Sequence, residues 1–316
     1  MQKKQLGKSS IRVAPLVLGG NVFGWTADAT ASVRVLDAFV DHGLDFIDTA
    51  DMYSTWVPGH QGGESETIIG NWLAESGKRQ SVVLATKVGM AMGDGGKGLK
   101  PAYIQASVDN SLRRLKTDYI DLYQAHVDDL DTPLEETLVA FHQLIQSGKV
   151  KAIGASNYTG LRLQEALETS KRLGIAEYVT LQPNYNLYTR ENYELDLAGV
   201  VDEYGLGVIP YFSLAAGFLT GKYKSIEDIK GTKREQMLSP YFDERGERIL
   251  TALRQVAEQS GRTPTVVALS WLQAQPNIAG PIASATSVDQ LQDLFASVDT
   301  TLTSSELQLL SDASAY

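Results

Sequence analysis

The sequence predicts an α/β fold, a (β/α)8 barrel in which each of eight parallel strands precedes a helix. Three observations support this prediction. Short apolar segments of strand length alternate eight times with longer segments of helical spacing. The strand segments are apolar with few interruptions, as in parallel sheets that helices cover. The chain has 316 residues, which suits one barrel, although an open doubly wound sheet stays the alternative.

The predicted strands are short and recur along the whole chain. They lie at 16–19, 46–49, 82–87, 120–124, 150–154, 179–182, 207–211 and 278–282. The segments with helical spacing lie at 30–42, 64–77, 101–116, 133–147, 159–173, 191–205, 245–260 and 287–296. Thr132 before Pro133 predicts a helix start, and Gly148, Gly174 and Gly205 follow helical segments as C-terminal caps do.

Two segments depart from the alternation. Residues 2–13 predict a short N-terminal β-hairpin that closes the bottom of the barrel. Residues 212–244 form a long connection after the seventh strand, and loops of that length in compact domains are usually functional or mobile. No linker or low-complexity tract divides the chain, so we expect one domain over residues 1–316.

Composition and charge exclude several classes of function. With 28 Lys+Arg and 38 Asp+Glu the net charge is −10, which disfavours nucleic-acid and anionic-membrane partners. The chain contains no cysteine, so disulfides, thiolate nucleophiles and iron–sulfur clusters are excluded. Neither a targeting segment nor an apolar stretch of about 18 residues is visible. A cytoplasmic location is therefore expected.

Ionisable side chains stand at the predicted carboxyl ends of three consecutive strands. Asp48 ends the second strand and Tyr53 lies in the following loop, Lys87 ends the third, and His126 follows the fourth. Neighbouring strands are about 4.8 Å apart, so these side chains can converge. Each alone has an ordinary structural explanation, as a turn cap, a packing aromatic or a solvated charge. Their joint placement favours catalysis at the end of a barrel.

The four side chains suit proton donation to a carbonyl oxygen. A tyrosine with a pKa near 10 is a weak proton donor at neutral pH unless its phenolate is stabilised. An ammonium group beside the phenol lowers that pKa, and a carboxylate behind the lysine keeps it charged. An imidazole can orient the carbonyl oxygen, and no metal is required.

Several segments resemble the motifs of aldo-keto reductases, in the family's order and over nearly the whole chain. The segment 46–53, FIDTADMY, closely resembles the family signature. The other similar segments are 85–87, 122–126, 148–157, 181–186, 211–222 and 281–290. The resemblance implies a (β/α)8 barrel that binds NADP(H) in an extended pose without a Rossmann fold.

The resemblance also implies roles for individual residues. Tyr53 is the general acid, tuned by Lys87 and Asp48. His126 positions the carbonyl oxygen. The other implied roles are contacts with the cofactor. The nicotinamide carboxamide is held by Ser156, Asn157 and Gln182, and the nicotinamide ring stacks on Tyr211. The loop around the pyrophosphate contains Ser213, Leu214, Gly217, Leu219 and Lys222, and the adenosine ribose with its 2′-phosphate is bound by Ser284, Thr286, Ser287 and Gln290.

The sequence departs from the pattern of many relatives in three places. Phe212 and Ser213 stand where Ser and Pro are frequent. Near the 2′-phosphate, Thr286 or Ser287 replaces an Arg or Lys, and Leu294 replaces an Asn near the adenine. A charge-assisted hydrogen bond worth about 1.5–3 kcal/mol is lost there. NADP(H) is the expected cofactor and NAD(H) the alternative.

Two tempting motifs are set aside. Residues 93–98 satisfy G-x-G-x-x-G, but no acidic residue ends a following strand at the expected distance, so a flexible loop is expected. The acidic residues of 128–131 suggest a cation site, and a solvated loop before the helix at Pro133 is the favoured interpretation. No metal is expected.

Substrate contacts are predicted from the loops after the first three strands. Phe23, Trp25, Trp56 and Met90 would give an apolar, aromatic rim suited to small or medium aldehydes and ketones. The predicted function is the reversible reduction of such carbonyls. Two rivals stay open: a regulatory subunit resembling potassium-channel β-subunits, and a metal-free barrel hydrolase or lyase using two carboxylates. The sequence leaves the physiological substrate, direction and oligomeric state undetermined.

Overall fold

The computed structural model describes residues 2–232 and 234–316 and contains eight parallel strands in one sheet. An N-terminal hairpin of β1 (Lys4–Gln5) and β2 (Arg12–Val13) precedes them. The parallel strands are β3 (Val17–Gly19), β4 (Phe46–Asp48), β5 (Val83–Val88), β6 (Ile120–Ala125), β7 (Val150–Ser156), β8 (Tyr178–Gln182), β9 (Gly207–Val208) and β10 (Ile282–Ala283). Their spatial order is β10-β3-β4-β5-β6-β7-β8-β9, so neighbours in sequence are neighbours in space.

The first and last strands of this order meet and close the sheet into a barrel. The Val208 amide donates to the Asn277 carbonyl over 2.9 Å, and the Ala279 amide donates to the Val208 carbonyl over 2.8 Å. The predicted (β/α)8 barrel is therefore confirmed. The strand predicted at 207–211 is limited to Gly207–Val208, and Pro210 has no amide hydrogen with which to extend it. The strand predicted at 278–282 is shorter and lies further along the chain, at Ile282–Ala283.

The predicted N-terminal hairpin is present and closes the bottom of the barrel. Its turn carries Leu6, which is fully buried with Val17, Phe46 and Leu122 inside the strand ring. Gly7, at φ +56°, lies so close to the Val179 carbonyl that a Cβ there would be 2.0 Å from its oxygen. Only glycine allows this approach.

Helices cover the outside of the barrel. They are α1 (Ala29–Asp41), α2 (Glu64–Ser76), α3 (Pro101–Leu115), α4 (Leu134–Gln146), α5 (Gly160–Leu173), α6 (Ala198–Tyr204), α7 (Glu235–Leu238), α8 (Glu244–Ser260), α9 (Pro264–Gln273), α10 (Val288–Val298) and α11 (Ser304–Ala313). A π-helical turn at Tyr193–Leu197 leads into α6. None of the described helices is both long and apolar enough to span a membrane.

Helices α9 and α11 were not predicted. Every residue of α9 from Thr265 to Leu272 is buried, so the segment lacks the apolar–polar period that reveals a surface helix. For α11 a signal was present, since Thr303 and Glu306 form a capping box. The predicted start at Thr132 is also shifted, because Pro133 is the N-cap and the Thr132 hydroxyl binds Asp129.

Candidate active site

Three of the predicted catalytic side chains form one buried hydrogen-bonded unit at the carboxyl ends of β4 and β5. Lys87 Nζ donates to Asp48 Oδ2 over 2.6 Å, to the Thr49 carbonyl over 2.7 Å and to Tyr53 Oη over 2.8 Å. These bonds use all three donors of the ammonium group. Lys87 is fully buried and Asp48 is 1% exposed, so the pair lies away from bulk solvent.

Strand register explains why these residues meet. Asp48 pairs with Ala85, which places Lys87 two residues further along β5 with its side chain on the same face. Beyond β4 the chain stays beside β5, since the Thr49 amide donates to the Ala85 carbonyl over 2.9 Å. The loop then turns, and Tyr53 comes back over Lys87.

The charges of this unit support each other. Burial lowers the pKa of Lys87, but Asp48 and Tyr53 outweigh it and hold that pKa above its ordinary value. Burial raises the pKa of Tyr53, Lys87 lowers it and Asp48 raises it, and the result is a raised pKa. Lys87 therefore acts in the expected direction, but burial outweighs its effect. The phenol holds its proton at neutral pH.

His126 lies beside Tyr53 as a neutral imidazole. The ring centroids are 5.9 Å apart, in an edge-to-face arrangement. Burial, and secondarily Lys87, hold the pKa of His126 well below its ordinary value. Its Nδ1 is buried and has no hydrogen-bond partner among the described residues. The ring is thus suited to hydrogen bonding rather than to carrying a charge.

Two glutamine side chains complete the environment of Asp48. Gln182 Nε2 donates to Asp48 Oδ1 over 3.0 Å, and Gln124 Nε2 donates to the same oxygen over 3.3 Å. Sequence reasoning missed Gln124, although it pairs with Lys87 in the β5–β6 register. It assigned Gln182 to a carboxamide, whereas in the structure the Gln182 side chain also supports Asp48.

The predicted nicotinamide-contact residues lie together at the ends of β7 and β8. Ser156 Oγ donates to the Gln182 carbonyl over 2.8 Å, and Asn157 Nδ2 donates to the His126 carbonyl over 2.8 Å. Tyr211 Oη donates to Asn157 Oδ1, also over 2.8 Å. Asn157 adopts φ +55°, a conformation that asparagine tolerates better than most residues.

The long loop presents two positive charges over a glycine. A Cβ built on Gly217 would lie 3.8 Å from Arg234 Nη1 and 3.9 Å from Lys222 Nζ. Ala215, Ala216 and Gly217 all have positive φ, the kind of backbone that can form an anion-binding concavity. Neither cation forms an ion pair within the described parts of the chain. Sequence reasoning missed Arg234, because 12 residues separate it from the Lys222 motif.

Other predicted residues of this loop are mainly inside the protein. Leu219 is fully buried, and the buried Ser213 hydroxyl donates to the Pro210 carbonyl over 3.0 Å. Leu214 is partly buried against the core. Leu214 and Leu219 are joined by a backbone hydrogen bond of 3.2 Å, so they shape the turn that carries Gly217.

The predicted adenosine-contact residues lie around the N-terminus of α10. Gln290 Oε1 accepts from the amide and the hydroxyl of Thr286, over 2.9 and 3.3 Å. Ser287 is the N-cap residue, and its side chain makes no capping bond. Ser284 Oγ donates to Asn21 Oδ1 over 2.5 Å, which brings in a residue that the sequence did not indicate.

The charge at this end of the site is negative. No lysine or arginine follows Arg262 in the sequence, while α10 carries Asp289 and Asp293. The lack of a positive charge noted at Thr286 and Ser287 therefore holds for the whole segment after Arg262.

The predicted substrate residues do not all lie at the surface. Trp25 and Trp56 contact each other edge to face with centroids 5.6 Å apart, and Trp56 lies 6.0 Å from Tyr53. Met90 is partly buried in the loop after β5. Phe23 is fully buried in the core, so its side chain packs inside rather than forming the rim.

The two motifs set aside at the outset lie in loops. Residues 93–98 connect β5 to α3, and the acidic residues 128–131 precede α4. Asp129 accepts from the Leu99 amide and the Thr132 hydroxyl, while Asp128 pairs with Arg162. Among residues 2–232 and 234–316, no group of three or more acidic or histidine side chains could hold a metal ion.

Comparison with known proteins identifies the class to which this fold and site belong. The Aldo/keto reductase family matches residues 15–315, so the chain belongs to that family. It is 35% identical to the uncharacterized oxidoreductase YrpG of Bacillus subtilis (strain 168), over 99% of this chain and 95% of the relative. The predicted family resemblance is thereby confirmed, and the chain is an oxidoreductase by relationship.

Two further relatives differ in the function that their names give. The chain is 30% identical to a probable voltage-gated potassium channel subunit beta of Arabidopsis thaliana, over 95% of this chain and 92% of the relative. It is 31% identical to the L-glyceraldehyde 3-phosphate reductase of Escherichia coli (strain K12), over 93% of this chain and 86% of the relative.

Proposed function

We propose that this protein is an NADP(H)-dependent reductase of small aldehydes and ketones, acting reversibly and in the cytoplasm. The observation that carries the proposal is the buried contact of Lys87 Nζ with both Asp48 and Tyr53 Oη. This arrangement suits a tyrosine that gives its proton to a substrate oxygen and is left as a phenolate beside a fixed ammonium ion.

The side chains divide the work of proton transfer. Tyr53 retains its proton until a carbonyl oxygen with developing negative charge comes within hydrogen-bonding distance. Lys87 then stabilises the phenolate, and Asp48 keeps Lys87 charged and in place. His126, as a neutral imidazole, orients the carbonyl oxygen through a hydrogen bond. Trp25 and Trp56 are proposed to contact the rest of the substrate, with Met90 beside them.

The residues present fit a nicotinamide dinucleotide. Lys222 and Arg234 converge over Gly217 and suit a pyrophosphate, since each lacks a carboxylate partner among the described residues. Ser156, Asn157 and Gln182 suit the carboxamide, and Tyr211 suits the face of the ring. When bound, the reduced nicotinamide supplies the hydride for the carbonyl carbon.

Exchange of Tyr53 for Phe tests the proposal. Tyr53→Phe removes the proton donor alone, so carbonyl reduction should fall by about 10²–10⁴-fold. NADPH binding, followed by fluorescence titration, should stay within about twofold. Turnover of a panel of aldehydes at the wild-type rate by this variant would disprove the assignment of Tyr53.

The choice between NADP(H) and NAD(H) is tested at Ser287. Ser287→Arg would supply the cation missing near the proposed 2′-phosphate, so NADPH should bind about tenfold tighter while NADH binding stays unchanged. Ser287→Met, similar in length but uncharged, is the control and should change neither. If wild type binds NADH as tightly as NADPH, the proposed preference for NADP(H) is wrong and NAD(H) is accepted as a cofactor.

The resemblance to potassium-channel β-subunits supports a second candidate, a cofactor-binding subunit with little turnover. The two functions differ in kinetics. A reductase oxidises many equivalents of NADPH when aldehyde is in excess, whereas a regulatory subunit oxidises about one and stops. Counting equivalents consumed per protein in a stopped-flow experiment separates them.

A further inference from the structure

The residue that follows Tyr53 has an unusual backbone. Ser54 adopts φ +78°, a left-handed conformation, and it is fully buried. For a residue with a Cβ this conformation is less favourable than the right-handed one. Such strain persists only where surrounding contacts fix it, and it is concentrated at active sites.

Ser54 makes one side-chain hydrogen bond, and its carbonyl also accepts from the Val57 amide over 2.9 Å. Its Oγ donates to the Phe23 carbonyl over 3.0 Å, and the bond is buried. Gly24, which follows Phe23, also lies beside Ser54, since a Cβ built on Gly24 would be in van der Waals contact with Ser54 Oγ at 3.5 Å. The bond therefore joins the loop after β4 to the loop after β3 where the two loops pack together.

The two joined loops carry the proposed proton donor and the aromatic rim. Tyr53 and Trp56 flank Ser54 on one loop, and Trp25 lies two residues beyond Phe23 on the other. Trp25 and Trp56 pack together at 5.6 Å across the same junction. Lys87 thus contacts the phenol oxygen of Tyr53, while Ser54 anchors the backbone next to Tyr53.

We propose that Ser54 is a positioning residue: its hydroxyl fixes the left-handed turn that directs the Tyr53 phenol toward Lys87 and the substrate. This inference rests on the proposed function of Tyr53. It differs from a purely structural role, in which the bond would stabilise the fold but leave the chemical step unchanged.

Two substitutions separate strain from hydrogen bonding. Ser54→Ala removes the hydrogen bond and keeps the backbone strain. Ser54→Gly removes the hydrogen bond and also the strain. A structural role predicts that Ser54→Gly recovers both stability and rate. A positioning role predicts that the two variants lose rate alike although the glycine variant is the more stable.

The measurement is the single-turnover oxidation of bound NADPH by an aldehyde, which reports the chemical step without product release. Both variants should be slowed at least about tenfold, because small misplacements of a reacting group are costly. NADPH binding and thermal unfolding are recorded alongside, and binding should stay within about twofold. Ser32→Ala is the control: Ser32 is equally buried and donates to the Asp28 carbonyl over 2.7 Å in α1.

The outcomes are distinct. A slow step in both Ser54 variants with a normal step in Ser32→Ala supports the inference. A wild-type rate in Ser54→Gly overturns it, and that variant should fold even where Ser54→Ala does not. Wild-type protein without any carbonyl turnover overturns the proposed function, and this inference with it.

Discussion

Asp48 at the end of β4 and Asp51 in the loop that follows are equally buried carboxylates with opposite electrostatic surroundings. Each is 1% exposed. Asp48 accepts hydrogen bonds from Lys87, Gln124 and Gln182. Both carboxyl oxygens of Asp51 lack a side-chain hydrogen-bond partner among the described residues. Equal burial therefore goes with very different hydrogen bonding in these two acids.

The nearest cations explain the difference. Lys87 forms an ion pair with Asp48. Arg114 forms one with Glu66, in which Arg114 Nε lies 2.6 Å from Glu66 Oε2. Glu66 Oε1 also accepts from the Thr86 hydroxyl. Burial first, and then the charge of Glu66, raise the pKa of Asp51 well above its ordinary value. The surroundings of Asp51 thus favour its protonated form, in contrast to the charged pair of Asp48 and Lys87.

The largest expected effect comes from breaking the charged pair at Lys87. Lys87→Met removes the ammonium group from Tyr53 and leaves Asp48 as a buried, unpaired charge. Carbonyl reduction should fall by about 10²–10⁴-fold. The free energy of unfolding should fall by about 3–5 kcal/mol, measured by denaturant titration.

A double variant separates these two losses. Lys87→Met with Asp48→Asn removes both charges, so it should recover much of the stability and none of the activity. Equal stability of the single and double variants would mean that Asp48 is not an ionised partner of Lys87.

A smaller effect is expected from Asp48→Asn alone. Lys87 keeps its bonds to the Thr49 carbonyl and to Tyr53, so the barrier should rise by about 1.4–2.7 kcal/mol, or about ten- to hundredfold in rate. Asp48 raises the pKa of Lys87 against the effect of burial, so its removal should lower that pKa relative to wild type. The decline of kcat at alkaline pH should therefore move to lower pH than in wild type.

The pH profile also serves as a check on this reasoning. A decline that stays in place, or moves to higher pH, would contradict the role of Asp48 in keeping Lys87 charged. His126 should add no step near pH 6.5, because burial and Lys87 hold its pKa well below that value.

Sequence reasoning predicted the barrel and the convergence of the proposed catalytic side chains for a shared physical reason. Apolar runs identify buried parallel strands, and the ends of such strands bring Asp48, Lys87 and His126 together whatever the loops do. Helix α9 was missed because a helix buried on all sides has no apolar–polar period. Contacts made by loops were also missed, Arg234 and Asn21 among them, because a loop's path is not encoded in a local pattern.

The state of Asp51 was equally beyond the sequence. Asp48 and Asp51 stand three residues apart in one motif, and nothing local distinguishes a paired carboxylate from an unpaired one. The distinction comes from α3, which supplies Arg114 to Glu66, and that contact joins residues 48 positions apart.

The smallest expected effect, and one of opposite sign, is on stability at Asp51. Its folded pKa lies above the ordinary 3.8, so the unfolded chain releases this proton first as the pH rises. Asp51 therefore contributes a loss of stability from about pH 3.8 upward, and Asp51→Asn removes this contribution because the amide does not titrate. The melting temperature of the variant should match wild type at low pH and exceed it increasingly toward neutral pH.

Asp121→Asn is the matched control, because Asp121 is buried but paired with Arg79 and Lys151. This substitution should destabilise the protein. A destabilised Asp51→Asn at neutral pH would show instead that Asp51 is ionised and has a partner.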